Sequence, residues 1–102
     1  MTIPQICVFL ENKAGQLADI TGILSENQVN MRAINIAETA DYGVLRLIVD
    51  DAPRASSILL DQGFILTMTS VVGVAVPDTP GGLSRVLEVI SHARIDVEYM
   101  YS

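Results

Sequence analysis

The apolar positions along this chain alternate between two spacings, one typical of helices and one typical of strands. Leu17, Ile20 and Leu24 recur at the spacing of one helix face, with polar residues between them, which indicates an amphipathic helix over residues 15–27. The neighbouring blocks are short and rich in branched apolar residues, as buried or half-buried strands are. The pattern predicts strands over residues 3–10, 30–38, 44–49 and 64–68.

Turn and cap residues place the remaining boundaries. Residues 40–43 read as a turn between two strands. Two aspartates followed by Pro53 favour a second helix start, and Gly63 stands where a left-handed helix end is expected. The order β-α-β-β-α-β over residues 3–69 is the split-βαβ pattern. It predicts an α+β, ferredoxin-like fold, an antiparallel sheet with two helices on one face.

An internal repeat appears when the chain is compared with itself at an offset of 66 residues. Without any gap, one set of residues falls on identical or similar residues of the second copy. The second copy is predicted to form a strand over residues 71–76, a helix over 82–92 and a strand over 96–101. We therefore expect a first repeat over residues 1–69 and an incomplete second repeat over 70–102. The first set is Val8, Asn12, Gly15, Leu17, Ile20, Leu24, Ser25, Val29 and Asn30; its counterparts are Val74, Asp78, Gly81, Leu83, Val86, Ile90, Ser91, Ile95 and Asp96.

Each copy carries a polar residue, two further residues and a glycine between its first strand and its helix. This arrangement resembles the ACT domain family, whose hallmark is a turn of the form (Asp or Asn)-x-Pro-Gly-x-Leu after the first strand. The second copy matches that form, whereas the first has Ala14 in place of the proline. The resemblance implies a regulatory protein that binds an amino acid where this turn meets a partner domain. It implies allosteric action on its own assembly or on a partner, possible partners including an enzyme of amino acid metabolism. The two turns are Asn12-Lys13-Ala14-Gly15-Gln16-Leu17 and Asp78-Thr79-Pro80-Gly81-Gly82-Leu83.

A chemical argument independent of the resemblance also favours these turns. A helix N-terminus offers unpaired amides and a partial positive charge to a carboxylate, and glycine lets a ligand approach the backbone. Asn12 or Asp78 could accept hydrogen bonds from an ammonium group, and the charge of Asp78 should make the second turn the stronger site for it. The candidate ligand-binding residues are Asn12, Ala14, Gly15, Gln16, Leu17, Asn30, Asp78, Pro80, Gly81, Gly82, Leu83 and Asp96.

Structural interpretations compete at each of these positions. Asn12 and Asp78 are also typical helix caps and turn formers, and Asn30 and Asp96 are typical residues for ending the preceding helix. If the turns are only caps, the chain is a structural pairing module that assembles tightly and responds to no ligand. The sequence leaves both hypotheses open.

The net charge and the few reactive side chains exclude several classes of function. A net charge of −6 disfavours nucleic acid and anionic membranes, and a single cysteine without a signal-peptide pattern favours the cytoplasm. Cys7 lies in an apolar strand, and His92 shares a polar helix face with Arg85 and Glu88. We predict no catalytic residues, no metal site and no cofactor, and hence a protein that is not an enzyme.

The second repeat predicts a gap in its own sheet. In the split-βαβ fold the third strand separates the first from the second, and the second copy contains no third strand. We expect a longer tandem protein that adds roughly 35 to 40 residues with a strand, a helix and a strand. Two unpaired strands also predict a homodimer or a higher homo-oligomer.

Overall fold

The computed structural model describes residues 1–11, 15–38 and 42–102, and most of the predicted elements are present. The sequence-based helices and strands of the first repeat are confirmed to within a few residues. The helix of the second repeat is confirmed over the predicted range. The turn at residues 40–43 falls largely outside the described residues. The elements are β1 (Thr2–Glu11), α1 (Gln16–Glu26), β2 (Met31–Glu38), β3 (Tyr42–Val49), α2 (Ala52–Asp61), β4 (Ile65–Val72) and α3 (Gly82–His92).

The four strands form one antiparallel sheet in the order β2-β3-β1-β4. β1 lies between β3 and β4, so that Val8 stands opposite Leu45 on one side and Leu66 on the other. β2 pairs with the outer edge of β3. This is the α+β, ferredoxin-like arrangement that the sequence predicts.

Helices α1 and α2 cover one face of this sheet and enclose the core. Ile6 and Leu47 on the central strands are fully buried against Ile20, Leu24 and Leu59 of the helices. Helix α2 begins after Asp51 because this residue caps it. The Asp51 side chain accepts a hydrogen bond from the Arg54 amide at 3.2 Å. No helix in the described part of the chain is long and apolar enough to cross a membrane.

The backbone of the second repeat follows the first at the predicted offset of 66 residues. Helices α1 and α3 each contain 11 residues. Each is followed by a non-glycine residue in the left-handed region, Gln28 at φ 58° and Arg94 at φ 57°. The amide of Val29 donates to the carbonyl of Leu24 at 2.9 Å, and the equivalent bond from Ile95 to Ile90 measures 3.2 Å.

The strands predicted for the second repeat differ from the structure. Val71 and Val72 belong to β4, which crosses the expected boundary between residues 69 and 70. Residues 73–77 and 95–102 form no ladder with any described strand. A strand is defined by its neighbour, and no element among the described residues takes the place that β3 has beside β1.

Candidate ligand-binding site

Two glycine turns share one backbone geometry. Gly15 and Gly81 both have φ +87° and stand immediately before helices α1 and α3. This left-handed conformation is natural for glycine and strained for residues with a Cβ atom. The repeated motif is therefore also a repeated backbone conformation.

The N-terminus of α1 presents free donors next to a free acceptor. The first hydrogen bond of the helix runs from the Asp19 amide to the Gly15 carbonyl at 2.9 Å. The amides of residues 16–18 precede it and have no partner among the described residues. The Oε1 atom of Gln16 is buried and also has no hydrogen-bond partner in the described part of the chain. Asn12 and Ala14 lie outside the described residues.

A cleft of about 280 Å³ opens beside this helix end. It lies where β1 ends, between α1 and the turn that connects α2 to β4. Most of its lining is apolar or aromatic, and Gln16 brings an amide group into it. Leu17, the last residue of the first motif, packs against the core instead. The lining residues are Phe9, Leu10, Glu11, Gln16, Tyr42, Gly63, Phe64 and Ile65.

The second turn is closed by its own backbone. The Thr79 amide donates to the Pro77 carbonyl at 2.8 Å, and the Gly82 amide donates to the Thr79 carbonyl at 3.1 Å. Gly82 is buried, and a Cβ atom there would collide with the Pro77 carbonyl oxygen. Pro80 and Leu83 are exposed. Within the described residues the exposed Asp78 carboxylate has no hydrogen-bond partner, so it does not cap α3.

Asn30 and Asp96 lie at the other end of their helices from the glycine turns. An 11-residue helix, roughly 16 Å long, separates Asn30 from Gly15. The Asn30 amide donates to Asp50 Oδ1 at 3.1 Å, and the Asp50 amide donates to the Asn30 carbonyl at the same distance. The structure thus gives Asn30 a role in joining β2 to β3 and does not bring it to the turns.

The sequence analysis missed a polar network on the sheet face that α1 and α2 leave open. Gln5 of β1 is fully buried on this face. Its Nε2 atom donates to Tyr99 OH at 2.9 Å and to Thr69 Oγ1 at 3.1 Å, and Tyr101 OH donates to Gln5 Oε1 at 2.5 Å. These bonds fix the segment 95–102 across the first-repeat sheet. The sequence indicates this network only by Gln5, a single glutamine inside an otherwise largely apolar strand.

Arg46 extends the same network. Its guanidinium carbon lies 3.8 Å from the centroid of the Tyr99 ring, and its Nη1 atom donates to Asn35 Oδ1 at 3.0 Å. Burial raises the pKa of Tyr101 above its ordinary value, and the neighbouring Tyr99 and Cys7 raise it further, while Arg46 opposes them. Tyr101 is therefore held in the protonated form that donates to Gln5.

The other chemically distinctive residues show no sign of a second site. Cys7 is a half-buried free thiol whose sulfur accepts a hydrogen bond from Gln5 at 3.3 Å. His92, Arg85 and Glu88 are exposed on α3, as predicted. Among the described residues, no group of histidine, cysteine and acidic side chains is arranged to hold a metal ion.

Two glycine turns of equal geometry, each opening a helix, together with a split-βαβ sheet, define a repeated ferredoxin-like module. The model of the family described as "ACT domain pair" matches residues 1–102, and the chain belongs to that family. The resemblance noted from the two motifs is confirmed. Domains of this family are typically ligand-binding regulatory domains. No curated protein matches the chain.

Solved structures of similar proteins agree with this assignment. Protein BT0572 from Bacteroides thetaiotaomicron is 43% identical, with a TM-score of 0.95 over 100% of this chain and 71% of that chain. The ligand-free regulatory subunit of aspartate kinase from Thermus thermophilus is 17% identical, with a TM-score of 0.71 over 97% of this chain and 75% of that chain. At that identity the second likeness shows the fold alone.

Proposed function

We propose that this protein is a cytoplasmic, non-catalytic sensor that binds an amino acid at its glycine turns. The observation that carries the proposal is the buried Oε1 atom of Gln16, which has no hydrogen-bond partner among residues 1–11, 15–38 and 42–102, beside free helix amides and an open cleft. A buried acceptor without a donor is costly unless a ligand or a water supplies one. The ammonium group of an amino acid is such a donor, and the helix amides suit its carboxylate.

The lining of the cleft favours an amino acid with an apolar side chain. Phe9, Phe64 and Ile65 offer aromatic and branched surface next to the polar end of α1. The second turn differs, because Asp78 carries an exposed charge there. We expect the two turns to bind with unequal affinity, and the ligand to act on the assembly of the chain or on a partner enzyme.

Thermal unfolding against a panel of the twenty amino acids tests this function. A ligand at about 100 times its dissociation constant adds about 2.7 kcal/mol to the free energy of unfolding, which raises the melting temperature by several degrees. We expect a selective shift with one or a few apolar amino acids. Gly81→Val should remove the part of the shift due to the second turn, because valine is strained at φ +87°.

A charge variant separates binding from folding. Asp78→Asn should weaken ligand binding without changing the melting temperature of the free protein, since the Asp78 carboxylate bonds to no described residue. Asp61→Asn, at an exposed acid on α2, is the matched control and should leave binding unchanged. If no amino acid shifts the melting temperature of folded protein, the sensor hypothesis fails.

The second candidate is a structural pairing module without a ligand. It is favoured by α3, which packs against no other described helix or strand although five of its 11 residues are leucine, valine or isoleucine. Strong assembly combined with a complete lack of response to amino acids would support it.

A further inference from the structure

The two repeats carry similar residues on one face of their strands and different residues on the other. In the first repeat the side chains of Ile6, Val8 and Ile34 belong to the sheet face that the helices cover. Their counterparts 66 positions later, Val72, Val74 and Met100, are also apolar. On the open face, the side that α1 and α2 leave uncovered, the chemistry changes. Here Gln5, Ala33 and Asn35 correspond to Val71, Tyr99 and Tyr101.

The residues that differ are the ones through which the repeats touch. Gln5 uses both ends of its amide: Nε2 donates to Tyr99 OH at 2.9 Å, and Oε1 accepts from Tyr101 OH at 2.5 Å. The Tyr99 ring lies over the Arg46 guanidinium, 3.8 Å from its carbon to the ring centroid. Asn35 holds this guanidinium from the other side, since its Oδ1 atom accepts from Arg46 Nη1 at 3.0 Å. The contact between the repeats therefore uses side chains that only one of them has.

Two repeats of the same kind could not reproduce this contact. A first repeat in the place of the second would present Ala33 and Asn35 to Gln5 instead of two tyrosines. Alanine has no hydroxyl to accept from the amide and no ring to stack on a guanidinium. Gln5 is 0% exposed, and an amide without partners is costly at such a position. A second repeat in the place of the first would offer Val71 to the two tyrosine hydroxyls and leave them without a partner.

We propose that the network around Gln5 determines which repeat can dock on the open face of the first repeat. The face accepts a strand that carries tyrosines at the positions of Tyr99 and Tyr101, and it rejects a strand like its own β2. The shared apolar residues fold both repeats and cannot tell them apart, because hydrophobic burial has no direction. Hydrogen bonds and a stacked guanidinium have defined geometries, so they can discriminate between similar repeats.

Exchanging counterpart residues in the 102-residue chain tests the proposal from the side of the second repeat. Trypsin cleavage after the exposed Arg94, followed by mass spectrometry, measures how often residues 95–102 leave the first repeat. Tyr99→Ala combined with Tyr101→Asn gives this segment the first-repeat residues. Cleavage should become faster by about tenfold or more, because several hydrogen bonds and the stacking on Arg46 are lost together.

A matched exchange on the other face provides the control. Met100→Ile also installs the first-repeat residue, between the two tyrosines but on the opposite side of the segment. It should leave the cleavage rate unchanged.

The same exchange tests the proposal from the side of the first repeat. Gln5→Val installs the second-repeat residue and should also speed cleavage, whereas Ile6→Val, the same kind of exchange on the covered face, should not. Adding Tyr99→Phe and Tyr101→Phe to Gln5→Val should slow cleavage again. No tyrosine hydroxyl is then left without a partner, and replacing both partners of a hydrogen bond by apolar groups is nearly neutral. Circular dichroism of each variant shows that it is folded.

Two outcomes would overturn the proposal. If the chain with Tyr99→Ala and Tyr101→Asn is cut no faster than the wild type, the open face accepts either kind of repeat. If the two phenylalanines do not slow the cleavage of Gln5→Val, the match between polar partners does not control docking. The measurements use no ligand, so their result is independent of whether an amino acid binds.

Discussion

At the scale of single residues, the second turn depends on the absence of a side chain at Gly82. A Cβ atom at this position would meet the Pro77 carbonyl oxygen, which belongs to the backbone and cannot rotate away. The equivalent position in the first repeat is Gln16, so a side chain is accepted there. The two turns therefore share the left-handed glycine but differ in how closely the preceding strand approaches the helix.

We predict that Gly82→Ala destabilises the first turn of α3. Alanine gains about 1 kcal/mol in helix propensity over glycine, while a clash of this kind costs typically 1–3 kcal/mol, so the clash prevails. Amide hydrogen exchange should become faster at residues 83–86. Gln16→Ala is the matched change in α1 and should leave exchange there nearly unchanged. Slower exchange in Gly82→Ala would contradict the close contact.

At the scale of elements, the helices could be predicted from the sequence and the C-terminal segment could not. The spacing of Leu17, Ile20 and Leu24 defines α1 locally, and Pro53 and Gly63 bound α2 in the same way. The state of residues 95–102 depends instead on Gln5, which is more than 90 positions away in the chain. No local pattern reports such a contact. A local pattern also does not show which distant segment a strand pairs with.

The docking of this segment should depend on pH through Tyr101. Its pKa is higher in the docked state than in the released state, where a tyrosine titrates near pH 10. Docking is therefore fully favoured below about pH 10 and is lost as pH rises through the raised pKa. Ultraviolet absorbance should show a phase of tyrosine ionisation above the ordinary tyrosine range, due to Tyr101. That late phase should be missing in Tyr101→Phe and present in Tyr42→Phe.

At the scale of the whole molecule, the described residues enclose the core of the first repeat and leave most apolar residues of the second exposed. Sequence reasoning predicts two repeats, because residues 66 positions apart share their chemistry. It could not predict that the apolar residues of the second half are exposed, because their exposure depends on what packs against α3. The cleft beside Gln16 was also beyond prediction, because it is formed by residues from β1, β3 and the α2–β4 turn together.

Equivalent substitutions in the two halves should therefore have different effects. Leu24→Ala empties a fully buried site and should lower the free energy of unfolding by about 2–5 kcal/mol at every protein concentration. Ile90 is only partly buried by the described residues, so Ile90→Ala should cost less than Leu24→Ala. Urea unfolding at a low and a high protein concentration measures both. An equal cost at low concentration would mean that Ile90 is already covered within one chain.

The network around Gln5 also gives the protein a built-in optical reporter. The sequence contains three tyrosines and no tryptophan, and two of the tyrosines, Tyr99 and Tyr101, lie in this network with their ring centroids 6.5 Å apart. The stacked guanidinium of Arg46 and the hydrogen bonds to Gln5 change the surroundings of both rings. We therefore expect intrinsic tyrosine fluorescence to report the attachment of residues 95–102 to the first repeat without any added label.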